Sequence, residues 1–169
     1  MNTPTIHPQR IPPQPGQESV WDYPRPPRLE ACTRHIQVIF NQLIIAETRR
    51  SYRVLETSHP PVYYIPPQDV RMRYLHPAPG SSVCEWKGWA AYYSVTVGQR
   101  RARRAAWYYP RPEPPFAAIR DYLAFYATQM DACLVDGEQV TPQAGGFYGG
   151  WITHDVVGPF KGEPGSEGW

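Results

Sequence analysis

The chain carries 21 prolines in 169 residues, and no other feature limits its fold as strongly. Each proline fixes φ, removes a backbone donor and blocks a helix interior or a central strand. Short elements joined by extended connections are therefore expected, and long helices are excluded. The length still suits one domain with a true core. Tyrosine is the most frequent aromatic, with 12 copies, and its apolar ring with a polar tip suits half-buried walls.

Several function classes fall away on charge and cysteine usage. A net charge of +2 calls for no strongly acidic partner. The basic run "GQRRARRAAW" (98–107) reads as the solvated end of a hairpin, which argues against nucleic acid. No apolar run reaches the length of a membrane span, and the N-terminus lacks the charged-then-apolar order of a signal peptide, so a cytoplasmic protein is expected. Cys32, Cys84 and Cys133 are far apart, and the five histidines show no ligand spacing. No metal, cofactor or disulfide is expected from them.

Along the chain, residues 1–30 form a Pro-rich arm, 31–141 the core domain and 142–169 a Gly-rich tail. The first part of the arm reads as disordered or polyproline-like, while Trp21 and Tyr23 should pin its later part to the body. "HIQVIFNQLIIAET" alternates around Asn41-Gln42 as a β-hairpin. Short strands follow at 52–57 and 62–65, then a helical turn that Pro67 and Asp69 suit. "PEPPFAAIRDY" makes another short helix with Phe116 and Ile119 inward, and Asp136-Gly137 is the strongest hairpin signal. The tail, with Phe147, Tyr148, Trp151 and Phe160, should pack on the surface of the core.

The segment "SVCEWKGWAAYYSVTV" (82–97) reads as one strand. Alternation puts Cys84, Trp86, Gly88, Ala90, Tyr92 and Ser94 on one face, with Lys87, Trp89, Tyr93, Val95 and Val97 on the other. Gly98-Gln99 then turns the chain back into "RRARRAAWYYP".

The blocks "VLETSHPPVYYIPPQDV", "CEWKGWAAYYSV", "AWYYP" and "AAIRDYLAFY" resemble those of the domain of unknown function 427 family, in order, over roughly Ile36 to Met130. The resemblance implies a mainly β domain of the β-tent, or Mss4-like, type, in which antiparallel sheets lean together over a cleft. Proteins of that fold often hold a four-cysteine zinc site, and this chain lacks the cysteine pairs for one. The family also carries a nucleotidyltransferase-like label, but the clustered carboxylates that would hold magnesium are not spaced that way here.

Candidate site residues follow from chemistry and from this resemblance. The rings alternate on neighbouring strands, and so many tyrosine hydroxyls need polar partners or water. That pattern suggests a damp cleft for a flat or cationic small molecule. Its expected walls are Tyr63, Tyr64, Trp86, Lys87, Trp107 and Tyr109, with Glu56 as polar anchor. An enzyme using Glu56, Cys84 or Lys87 is the alternative, although a spacing of three along one strand would separate Cys84 from Lys87. His59 and Asp69 are further acid–base material. The bland readings pair Glu56 with Arg49 or Arg50 and give Asp69 a helix-start role. A third reading is an interaction module, in the form of a homodimer with exchanged arms.

Overall fold

The computed structural model describes residues 9–169. The start of the arm, read as disordered or polyproline-like, lies partly outside the described residues. The protein is mainly β, built from several antiparallel sheets, and every helical segment described is a 3₁₀ turn of three to six residues. The prolines act as expected: Pro67 and Pro114 each open such a turn, where a missing N–H costs nothing.

Three sheets position the site. A three-stranded sheet joins Arg28–Cys32, Ser51–Leu55 and Val62–Tyr64. A second sheet pairs Glu138–Gln139, Ala132–Val135, Ile36–Phe40 and Leu43–Thr48. Its two hairpins turn at Asn41-Gln42 and Asp136-Gly137, all four residues at positive φ as primed turns require. The long sheet orders Ala124–Phe125, Arg100–Tyr108, Gly88–Val97 and Leu75–Cys84.

Both faces of the long sheet are used. Tyr92 and Ala124 lie opposite Trp107 on one face, while Tyr93 and Phe125 lie opposite Ala106 on the other. The first face packs on Val54, Tyr64, Tyr109, Phe116 and Ile119. The second, with Val95 and Val97, joins a larger core around Ile36, Phe40, Ile45 and Trp151. Between Tyr93 and Val95 a bulge interrupts the ladder. There Arg104 takes φ +50° and its N–H donates to Ser94 Oγ at 3.1 Å.

Two expectations need correction. Residues 82–97 are not one strand: the chain reverses at 85–87, and Leu75–Cys84 pairs with Gly88–Val97 from Cys84↔Gly88 onward. Gly88, at φ +103°, closes that reversal. Nor does the tail lie only on the surface. Trp151 is 1% exposed in the larger core, stacks on Tyr63 at 5.2 Å and donates its indole N–H to Phe125 O at 3.1 Å.

The arm is held as its aromatics suggested. Trp21 Nε1 donates to Pro159 O at 2.9 Å, and Tyr23 is buried with its hydroxyl donating to Glu18. Glu18–Ser19 runs parallel to Val156–Val157, so arm and tail brace each other.

Candidate functional site

A cavity of about 480 Å³ lies where the three-stranded sheet, the long sheet and the C-terminal segment meet. Tyr64 enters from the first sheet, and Ala90, Tyr92 and Trp107 from the second. Exposed Val83, Glu85 and Phe147 stand at its rim, so it reaches the surface. The aromatic wall is stiff: Trp107 meets Tyr64 edge to face at 6.4 Å, and Tyr126 packs on Trp107 at 4.4 Å. The hydroxyls find partners, as Trp107 Nε1 donates to Tyr64 Oη across 3.4 Å and Tyr92 Oη shares a 2.7 Å bond with Ser82. Burial, more than any other influence, raises the pKa of both Tyr64 and Tyr109, so these phenols are neutral donors at physiological pH.

Of the expected residues, Glu56, Tyr64, Trp86, Lys87, Trp107 and Tyr109 all line this cavity, as does Cys84. Tyr63 does not. Neighbouring residues on a strand point to opposite faces, so Tyr64 faces the cavity while Tyr63 lies in the larger core against Trp151. The reversal at 85–87 brings Cys84 and Lys87 to the same wall; as members of one continuous strand they would have pointed apart. Asp69 sits elsewhere, bound by Thr48 Oγ1 at 2.7 Å and by Arg50 at 2.9 Å and 3.0 Å.

Lys87 is the unusual member. Only 9% exposed, its ammonium lies 5.7 Å from the Tyr109 ring centre and 6.0 Å from that of Phe116. Among the described residues it pairs with no carboxylate, and its polar neighbour is the Cys84 side chain. Burial works against the charge, but Tyr64, Cys84 and Glu56 outweigh it and hold the pKa above the ordinary lysine value. Lys87 is therefore a cation at neutral pH.

The polar end of the cavity is a linked set. Glu56 pairs with Arg25 at 3.2 Å and with His59 at 3.5 Å, rather than with Arg49 or Arg50. His59 is oriented from the tail. Gly150 N–H donates to Gln143 Oε1 at 3.0 Å, which turns the Gln143 amide nitrogen toward Lys161 O, 2.8 Å away, and His59 Nδ1, 3.2 Å away. A nitrogen that accepts from an amide carries no proton, so His59 is neutral with its proton on Nε2, toward Glu56. Burial acts in the same sense and lowers its pKa.

Several lining residues escaped sequence reasoning. Arg25, Gln143, Tyr148, Lys161 and Trp169 belong to the arm and the tail, far in sequence from the β blocks. One local signal was available: the double glycine 149–150. A side chain at Gly149 would meet the Trp107 ring at 2.1 Å, and one at Gly150 would meet Pro60 O at 2.6 Å.

Fold and site together define a mainly β protein with an aromatic cavity closed on one side by its own tail. The chain belongs to the family described as a domain of unknown function, DUF427, whose model matches residues 28–136. No curated protein matches the sequence. The matched region supplies Glu56, Tyr64, Lys87, Trp107 and Tyr109, and the tail wall lies beyond it. Among the described residues, no three His, Cys, Asp or Glu side chains gather as a metal site, and no helix is long and apolar enough to cross a membrane.

Proposed function

We propose that the protein binds a small organic molecule in this cavity. The observation that carries the reading is a space of about 480 Å³ with ring-lined walls and one buried ammonium that pairs with no carboxylate among the described residues. Its size falls within the roughly 300–1,000 Å³ usual for ligand pockets, and so does the combination of apolar walls with a few fixed polar groups. A ligand that binds only the folded state raises the melting temperature by mass action, about 2.7 kcal/mol at a hundredfold excess over Kd. Screening the full chain by thermal shift against nucleotides, amines, purines and aromatic acids tests the reading. A shift that saturates with concentration supports it, and a library that moves nothing refutes it.

A second reading, an enzyme acting on that ligand, draws on the adjacency of Cys84 and Lys87 in one wall. Glu56 and His59 are already committed to each other and to Arg25 and Gln143, which leaves the Cys84 thiol as the candidate nucleophile. Cys84→Ser would then keep ligand binding and lose turnover, whereas equal turnover would end this reading. With three unpaired thiols, the cytoplasm is the compartment that suits the chain, and the location of tagged protein checks this.

A further inference from the structure

We infer that the ligand of this cavity is a flat organic monoanion, in its simplest form an aromatic carboxylate, whose charged end meets the Lys87 ammonium. The inference rests on the cavity being a ligand site, as proposed above.

The argument begins with the cations that line the space. Arg25 is spent on Glu56 and on Thr57 O at 3.0 Å. Lys161 Nζ donates to the carbonyls of Ser166 and Glu167, each at 2.7 Å. His59 is neutral because Gln143 donates to its Nδ1. That leaves Lys87, which meets the faces of Tyr109 and Phe116 and the Cys84 side chain, and which pairs with no carboxylate among the described residues. Ring faces attract a cation but accept its N–H groups poorly, so donors remain for a ligand oxygen. In so secluded a place the attraction between opposite charges is little weakened by water.

The count of free charges sets the ligand's charge. One unpaired cation balances one negative charge. A phosphate or diphosphate would bring more charge than Lys87 offsets, and would need further free cations, a run of backbone N–H groups or a metal. A cationic ligand fares worse, because the Tyr109 face is already taken and the newcomer would sit beside a like charge. Tyr64, Trp107 and Tyr109 favour a flat ring as the body of the molecule.

Four probes that share one ring system test this on the full chain: naphthoate, naphthylmethanol, naphthylmethylammonium and naphthyl phosphate, each titrated by calorimetry. Naphthoate should bind about tenfold or more tightly than the alcohol, the phosphate should bind no better than naphthoate, and the ammonium should bind worst. In Lys87→Met the alcohol should still bind, which certifies the fold, while the advantage of naphthoate shrinks to about twofold or less. Lys87→Gln serves the same comparison if the methionine variant does not fold. Alcohol and naphthoate binding equally to wild type would overturn the charge assignment and leave the cavity reading standing. A naphthoate preference that survives the loss of Lys87, or tighter binding of the phosphate, would also overturn it. Failure of all four probes would remove both the inference and the reading beneath it.

Discussion

The side-chain amide of Gln143 donates to His59 Nδ1 across 3.2 Å, a contact between residues 84 positions apart in the chain. Backbone groups fix the amide's direction, so a proton added at Nδ1 would face an N–H group instead of an acceptor. The histidine is thereby kept neutral and the tail is tied to the loop that carries Glu56.

This makes stability depend on pH. With its folded pKa below the ordinary 6.5, His59 binds fewer protons in the folded state than in the unfolded one, so stability declines as pH drops below 6.5 toward the folded value. His154 acts in the opposite sense, since its bond to Glu138 raises its pKa. The useful measurement is therefore the difference in melting temperature between wild type and His59→Asn. That difference should narrow on acidification from about pH 7.5 to about pH 5.5, and a constant gap would contradict the assignment.

Gly149 presses on the Trp107 ring so closely that even one added carbon has no room. Gly149→Ala should cost about 1–3 kcal/mol in chemical denaturation, the range for overpacked sites. It should also weaken ligand binding, because Trp107 can yield only at the expense of the cavity wall. Unchanged stability would mean that the tail does not hold this position in solution.

Ser58 combines φ +72° with a buried hydroxyl that has no partner among the described residues. Glycine suits that backbone region and removes the unsatisfied group. Ser58→Gly should stabilise the protein by about 1 kcal/mol, read as a rise of about 2–4 °C in melting temperature for a chain of this size.

The tryptophans divide sharply. Trp151→Ala empties a site that is 1% exposed and abandons the Phe125 carbonyl, so it should cost about 3–5 kcal/mol in a denaturant titration. Trp89 is 63% exposed, and its alanine variant should stay within about 0.5 kcal/mol of wild type.

The β framework was legible because its signals are local. Asn41-Gln42 and Asp136-Gly137 announce their hairpins, and the strand at Gly88–Val97 alternates as written, with even positions toward Trp107 and odd ones, from Tyr93 on, toward the larger core. The reversal at 85–87 was hidden because Glu85, Trp86 and Lys87 include no usual turn residue and keep a polar–apolar alternation that also fits a strand, and only the backbone at Gly88 distinguishes the two. For Tyr63 and Tyr64, alternation demands that one ring leave the cavity wall, but a single sequence gives no means of choosing which. The tail's contribution was invisible for a different reason: contacts such as Gln143 with His59 join distant positions with no periodicity to betray them.

The division of labour within the cavity has a consequence for how such a molecule diversifies. Trp107 and Tyr64 stand on strands and Lys87 on the turn that joins two of them, all within the matched region, whereas Gln143, Tyr148 and Trp169 arrive on a segment beyond it. A sister protein could keep the same anchor, exchange its closing flap, and so acquire a taste for a differently shaped guest.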